Sequence, residues 1–290
     1  LLGVNQGLAW SSTVVMKIDL VGEKQRGLAM GFNESAGYLA VGLVALLTGW
    51  LAATYGLRPV PFYLGIGFVI AGFFCTWFFV KDTAGHVHAE TQHSNRPMLT
   101  NIFRDTSYKH PNLGSITQAG LINNLNDGMM WGLFPLLLVS KGFTLEQTAI
   151  LVAIYPSVWG LGQLFTGAAA DKLPKRHILF GGMLAQAIAI LGFPLASSFT
   201  TLAAISILLG LGTAAVYPTF LAAIADNTHP QQRASSIGIF RLWRDLGYVF
   251  GAILTGLLAD VISMDAAIYS VAALTFFSSI LIKLRMKDDV

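Results

Sequence analysis

Apolar stretches of about 20 residues, the length needed to cross roughly 30 Å of hydrocarbon, recur along the chain between short polar breaks. They fall at 27–53, 62–80, 115–139, 147–169, 177–196, 200–225, 237–259 and 265–284, with a shorter one at 1–16. Glycine and alanine run through them and no period-two alternation appears, so the pattern predicts helices rather than barrel strands. The first stretch lacks an initiating methionine and a charged leader, so it is not expected to be a signal peptide. It is expected to be a span cut partway through.

The polar breaks are asymmetric. If successive breaks alternate sides, 16 of the 18 lysines and arginines fall on one side, and only Arg58 and Lys141 on the other. The positive-inside rule then puts the basic set, with the 81–113 segment and the C-terminus, in the cytoplasm. Composition agrees with the spans: 54% of residues are apolar and 11% charged, where a soluble domain carries about 25% charged. Mean hydropathy is +0.62. The net charge of +3 is explained by topology and does not point to nucleic acid. The single cysteine, Cys75, cannot form an intrachain disulfide.

A shift of 207 residues aligns 3–52 with 210–259 without a gap, and twelve pairs are identical. They include Asp19/Asp226, Gln25/Gln232, Arg26/Arg233 and Gly31/Gly238. Three spans precede the second copy after the central polar segment, so three more are expected before the first. Parallel repeats of this kind are a recurrent transporter plan. The expected organisation is 1–80 as the remainder of an N-terminal half with three spans, 81–113 as a cytoplasmic linker, and 114–290 as a C-terminal half with six.

Between two spans on the basic side lies Gly167-Ala-Ala-Ala-Asp171-Lys172-Leu-Pro174-Lys175-Arg176. This resembles the signature loop of the major facilitator superfamily, with Pro174 where glycine is usual. The resemblance implies an all-α polytopic bundle of two pseudo-symmetric six-helix halves, the first incomplete, holding spans four to twelve of twelve. It implies that Gly167, Asp171, Lys172, Lys175 and Arg176 form a gating loop, with Asp171 facing the helix that begins near Gly27. Drug–proton antiporters of the superfamily usually carry a Gly-Pro pair on the fifth helix. The matching span, from Gly31 to Gly42, has glycines but no proline.

Asp127 falls inside a predicted span, where an acid costs about 2.5–3.5 kcal/mol on insertion scales and commonly faces a cavity or a partner. At 100° per residue Asn123, Asn126, Asp127 and Trp131 share one helical face. They are the first candidates for lining a solute path, with Asp127 as a proton carrier. Alternatively the asparagines tie helices together. Tyr155, Trp159 and Gln163 form a second stripe, and Tyr217 precedes a proline in a later span; Tyr155, Gln163 and Tyr217 are further candidates for solute contact. Glu34 and Arg241 occupy matching repeat positions with opposite charge. Arg241 and Arg244 are expected to belong to the gate.

No metalloprotease, hydrolase or P-loop motif is present, and the linker histidines His86, His88 and His93, without a cysteine or fixed partner, are a weak metal signal. The expected function is therefore not enzymatic. It is transport of a small solute by alternating access, driven by a proton or other ion gradient without cofactor or metal. The full-length protein is expected to act as a monomer in a bacterial inner membrane. The alternatives are a non-transporting sensor or receptor on a transporter fold, or an inactive fragment.

Overall fold

The computed structural model describes residues 2–94 and 96–287. Every regular element among them is helical: α1 (Leu2–Val21), α2 (Arg26–Tyr55), α3 (Val60–Phe79), α4 (Ala84–His93), α5 (Ile102–Arg104), α6 (Pro111–Gly132), α7 (Phe134–Ser140), α8 (Leu145–Ala170), α9 (Lys175–Leu195), α10 (Phe199–Asp226), α11 (Arg233–Val261) and α12 (Met264–Arg285). Among the described residues, seven segments are long and apolar enough to cross a membrane. α1 and α6 have the length but fall outside that set because their faces carry Asn, Gln, Lys and Asp. The chain is a multi-pass membrane protein.

Helix boundaries follow local chemistry. Thr144 opens α8 through a capping box with Gln147, and Ser198 and Ser263 cap α10 and α12 through the amides of Thr201 and Ala266. These side chains satisfy amides that a helix start otherwise leaves open. The segment at 115–139, read from the sequence as one span, is broken at Leu133 into α6 and α7. Pro135 explains the break, since it lacks the N–H that would bond the preceding turn.

α6 and α8–α12 pack into a bundle, with α2 lying along α8 and α1 beside α2 and α11. In lipid, tight backbone approach drives helix association. A Cβ added at Gly167 of α8 would stand 3.0 Å from Gly31 Cα and overlap the Gly27 carbonyl of α2. α11 repeats the device, with Gly247 and Gly251 against the backbone of α6. α3 contacts mainly α2 and buries none of its residues. One buried cluster gathers Val14, Met30, Leu113, Leu179, Phe220 and Phe240 towards the basic-loop end. A second gathers Phe134, Tyr155, Trp159, Phe193 and Ile268 towards the other.

Candidate functional site

At the basic-loop end the two repeat copies exchange partners. Arg26 Nη1 donates to Asp226 Oδ1 at 2.9 Å, and Arg233 Nη1 donates to Asp19 Oδ1 at 2.6 Å. Thus the paired identities Asp19/Asp226 and Arg26/Arg233 form ion pairs crosswise, each linking one copy to the other. The remaining Nη2 groups of both arginines converge on Glu90 Oε1 of α4, each at 2.6 Å. Both arginines are fully buried, and a single linker carboxylate stands between them. Burial opposes the charge on Glu90, but the hydrogen bonds and charges of Arg233 and Arg26 outweigh it and hold its pKa below the ordinary 4.5.

The signature loop lies beside this cluster. Gln25 provides no side-chain cap for α2. Asp171, at the end of α8, supplies one: Gly27 N–H and Leu28 N–H donate to its two carboxylate oxygens at 2.6 and 2.8 Å. A negative group at a helix N-terminus also meets the positive end of the macrodipole. The approach requires Gly27, because a Cβ there would sit 2.8 Å from Asp171 Oδ1 and overlap the Gly167 carbonyl. Lys175 pairs with Asp226 at 2.7 Å, Arg176 donates to the Lys283 carbonyl at 2.6 Å, and Lys172 is exposed.

Above the ion pairs lies a cavity of about 570 Å³ between α1, α2, α10 and α11. Its polar wall is formed by Glu34, Arg241, Arg244 and Asp245, and its aromatic wall by Trp10, Tyr38, Tyr217 and Tyr248. Arg241 and Arg244, expected at the gate, are therefore set apart from the signature loop and belong to this wall. Each is eight or more residues into α11, about 12 Å from its start at 1.5 Å per residue. Arg241 lies over the Trp10 ring at 3.9 Å and Arg244 over the Tyr217 ring at 4.3 Å. Trp10 and Tyr217 are themselves equivalent positions of the repeat.

Of the candidates on α6, α8 and α10, only Tyr217 borders this cavity. Asp127 is fully buried and accepts from Tyr155 Oη and, at 3.4 Å, from Tyr248 Oη. It makes no ion pair among the described residues, and Tyr248 separates it from the cavity. Asn126 donates to Gln186 at 2.9 Å and accepts from Thr275 at 2.7 Å, while Gln186 donates to Asn123 at 3.1 Å. Those amides tie α6 to α9 and α12 and do not face the cavity. Gln163 is buried where α8 meets α2, and Trp131 is 46% exposed at the far end of an aromatic series. That series runs Trp131, Tyr155, Trp159, then Tyr38 and Tyr217, with neighbouring rings 4.3 to 6.3 Å apart.

Sequence reasoning missed Trp10, Tyr38 and Tyr248, aromatic residues among many others in apolar runs. It also missed the cluster around Glu90. The signal for that cluster was present in the repeat, where Asp and Arg were the identical charged pairs.

Comparisons with known proteins place the chain in a family. The model of the Major Facilitator Superfamily matches residues 1–112 and 116–290. The chain is 25% identical over 286 residues to the multidrug resistance protein MdtG of Proteus mirabilis, covering 97% of this chain and 69% of that protein. It is 24% identical over 258 residues to MdtG of Dickeya zeae, covering 87% of this chain and 61% of that protein. It thus spans about two-thirds of the length of the relatives it matches. The crystal structure of the human organic anion transporter MFSD10 superposes with a TM-score of 0.71 at 16% identity, over 94% of this chain and 67% of that one. The fold, the signature loop and the family match agree: this chain belongs to the Major Facilitator Superfamily.

Proposed function

We propose that this chain forms the solute path of a proton-driven transporter that works by alternating access. The observation that carries the reading is a mid-depth cavity lying directly above a set of ion pairs that join the two repeat copies. Glu34 and Arg241 stand eight residues into α2 and α11, about 12 Å from the paired arginines. Such an arrangement suits a path closed at one end while its centre stays able to hold solute. The excess of lysine and arginine at the closed end favours assigning it to the cytoplasm, which makes this the outward-facing state of a protein of the bacterial inner membrane. The multidrug resistance relatives favour a small-molecule solute.

Asp127 is the best candidate for the coupling proton. It is a buried acid without an ion-pair partner among the described residues, and Tyr248 Oη bridges it to the cavity wall. A proton taken from the cavity can be relayed through that hydroxyl. The test is reconstitution in proteoliposomes with an imposed pH gradient and an entrapped pH dye. Addition of a transported solute should move protons in the native protein and not in Asp127→Asn. Gradient-dependent movement that survives Asp127→Asn removes Asp127 from the mechanism. A native protein that moves none of a panel of anionic, cationic and neutral amphipathic solutes refutes transport itself.

A further inference from the structure

The polar wall of the cavity holds hydrogen-bond donors without acceptors. The side chains of Arg241 and Arg244 are only 10% and 8% exposed. Each guanidinium is stacked on an aromatic ring, which leaves its N–H groups directed outward in the plane. Asp245 accepts from Arg241 Nε at 3.0 Å and from Arg244 Nη1 at 3.3 Å. Arg241 Nη1 and Arg244 Nε remain buried with no acceptor. Orphaned donors on a buried cation are costly, and native structures seldom keep them without a reason.

The acceptors are engaged in comparison. Asp245 already serves both arginines, and Glu34 accepts from Asn33 Nδ2 at 2.7 Å. With all four groups ionised the polar wall is formally neutral, so selection here comes from directed N–H groups rather than from net charge. A cation entering the cavity finds Glu34 as its one carboxylate not already shared by the arginines. An anion finds two guanidinium groups that each keep a buried N–H without an acceptor. Paired arginine edges of this kind suit a planar oxyanion better than lysine would. Beside them the cavity offers the rings of Tyr38 and Tyr248, neither of which is covered by an arginine, and the volume of about 570 Å³ is that of a drug-sized ligand site.

We propose that the cavity binds an amphipathic organic anion, its carboxylate or comparable oxyanion held by Arg241 and Arg244 and its rings laid against Tyr38 and Tyr248. The proposal rests on the transport reading and names the solute class for that same cavity.

Three radiolabelled probes with one ring system separate the possibilities: 2-naphthoate, 2-naphthylmethylammonium and 2-naphthalenemethanol. Equilibrium binding is measured on the full chain in nanodiscs of phosphatidylcholine, which keeps anionic lipid out. Naphthoate should bind at least tenfold tighter than the other two. Arg241→Gln and Arg244→Gln should each weaken it at least tenfold, and Arg244→Lys should recover part of the loss. Where Arg244→Gln fails to fold, the Arg241→Gln and Arg244→Lys pair carries the comparison. Tighter binding of the ammonium probe, lost in Glu34→Gln, overturns the anion assignment and leaves the cavity as a solute site. If no probe binds in a way that responds to these substitutions, the anion assignment and the cavity's role in transport both fall.

Discussion

Replacing Glu90 by glutamine keeps the shape of the linker contact and removes its charge. In the native protein one oxygen of Glu90 takes charge-assisted hydrogen bonds from two fully buried arginines, both at 2.6 Å. Removing one partner of a buried ion pair costs about 3–5 kcal/mol. Two features lower that figure. Arg26 and Arg233 each keep a second carboxylate, Asp226 and Asp19, and the Glu90 side chain is 20% exposed. A cost of about 2 kcal/mol remains, roughly a 30-fold shift towards separation of the two halves at this end. Paired spin labels measure it in a Cys75→Ser background, with Lys24→Cys in the α1–α2 turn and Leu173→Cys in the signature loop. Both positions are exposed, and they belong to different halves of the chain. A longer-distance population should appear or grow in Glu90→Gln. An unchanged distance distribution together with an unchanged melting temperature would falsify the clamp, because both arginines would then be held well enough without it.

The same contact has a pH signature. The Glu90 pKa is held below 4.5 in the folded protein, so its contribution is complete above the ordinary carboxylate range and is lost as pH falls through the lowered value. The long-distance population in the native protein should therefore rise only in acid, and in Glu90→Gln this acid-dependent component should be missing. Gly167→Ala should lower the thermal midpoint in nanodiscs by an amount worth about 1–2 kcal/mol, since its new methyl meets the backbone at Gly27 and Gly31; an unchanged or raised midpoint would show that the crossing of α2 and α8 has slack. Asp171→Asn keeps one acceptor oxygen but loses the charge at the α2 start, worth about 1–2 kcal/mol. Amide exchange at Gly27 and Leu28 should accelerate by about tenfold or more, and protection equal to the native protein would show that the cap is dispensable.

Much of the fold was legible because a bilayer imposes a simple code. Span length, the glycine-rich character of the spans and the one-sided lysines and arginines need no knowledge of packing. The boundaries were less so. Pro135 sits inside an uninterrupted apolar run, and only backbone hydrogen bonding splits that run into α6 and α7. The site was legible in part. Asp127 stood out because acids are rare at that depth, and the structure finds it buried against two tyrosines. The asparagines beside it share its helical face, yet they meet α9 and α12 instead of the cavity. Periodicity gives the face of one helix but not which neighbour covers it.

By itself the sequence determined a helical membrane protein, its internal repeat, its signature loop and a short set of unusual polar residues. Each follows from local properties: the length of an apolar run, the side on which charge accumulates, the letters of a turn. What only the tertiary structure decided is which of those residues meet. Asp19 and Arg233 are 214 residues apart, and Arg26 and Asp226 are 200 apart. Their crosswise pairing, the insertion of Glu90 between them and the stacking of Arg241 and Arg244 on Trp10 and Tyr217 depend on two repeat copies facing each other. A repeat shows that two segments are alike, and packing alone sets how closely and at what angle they approach.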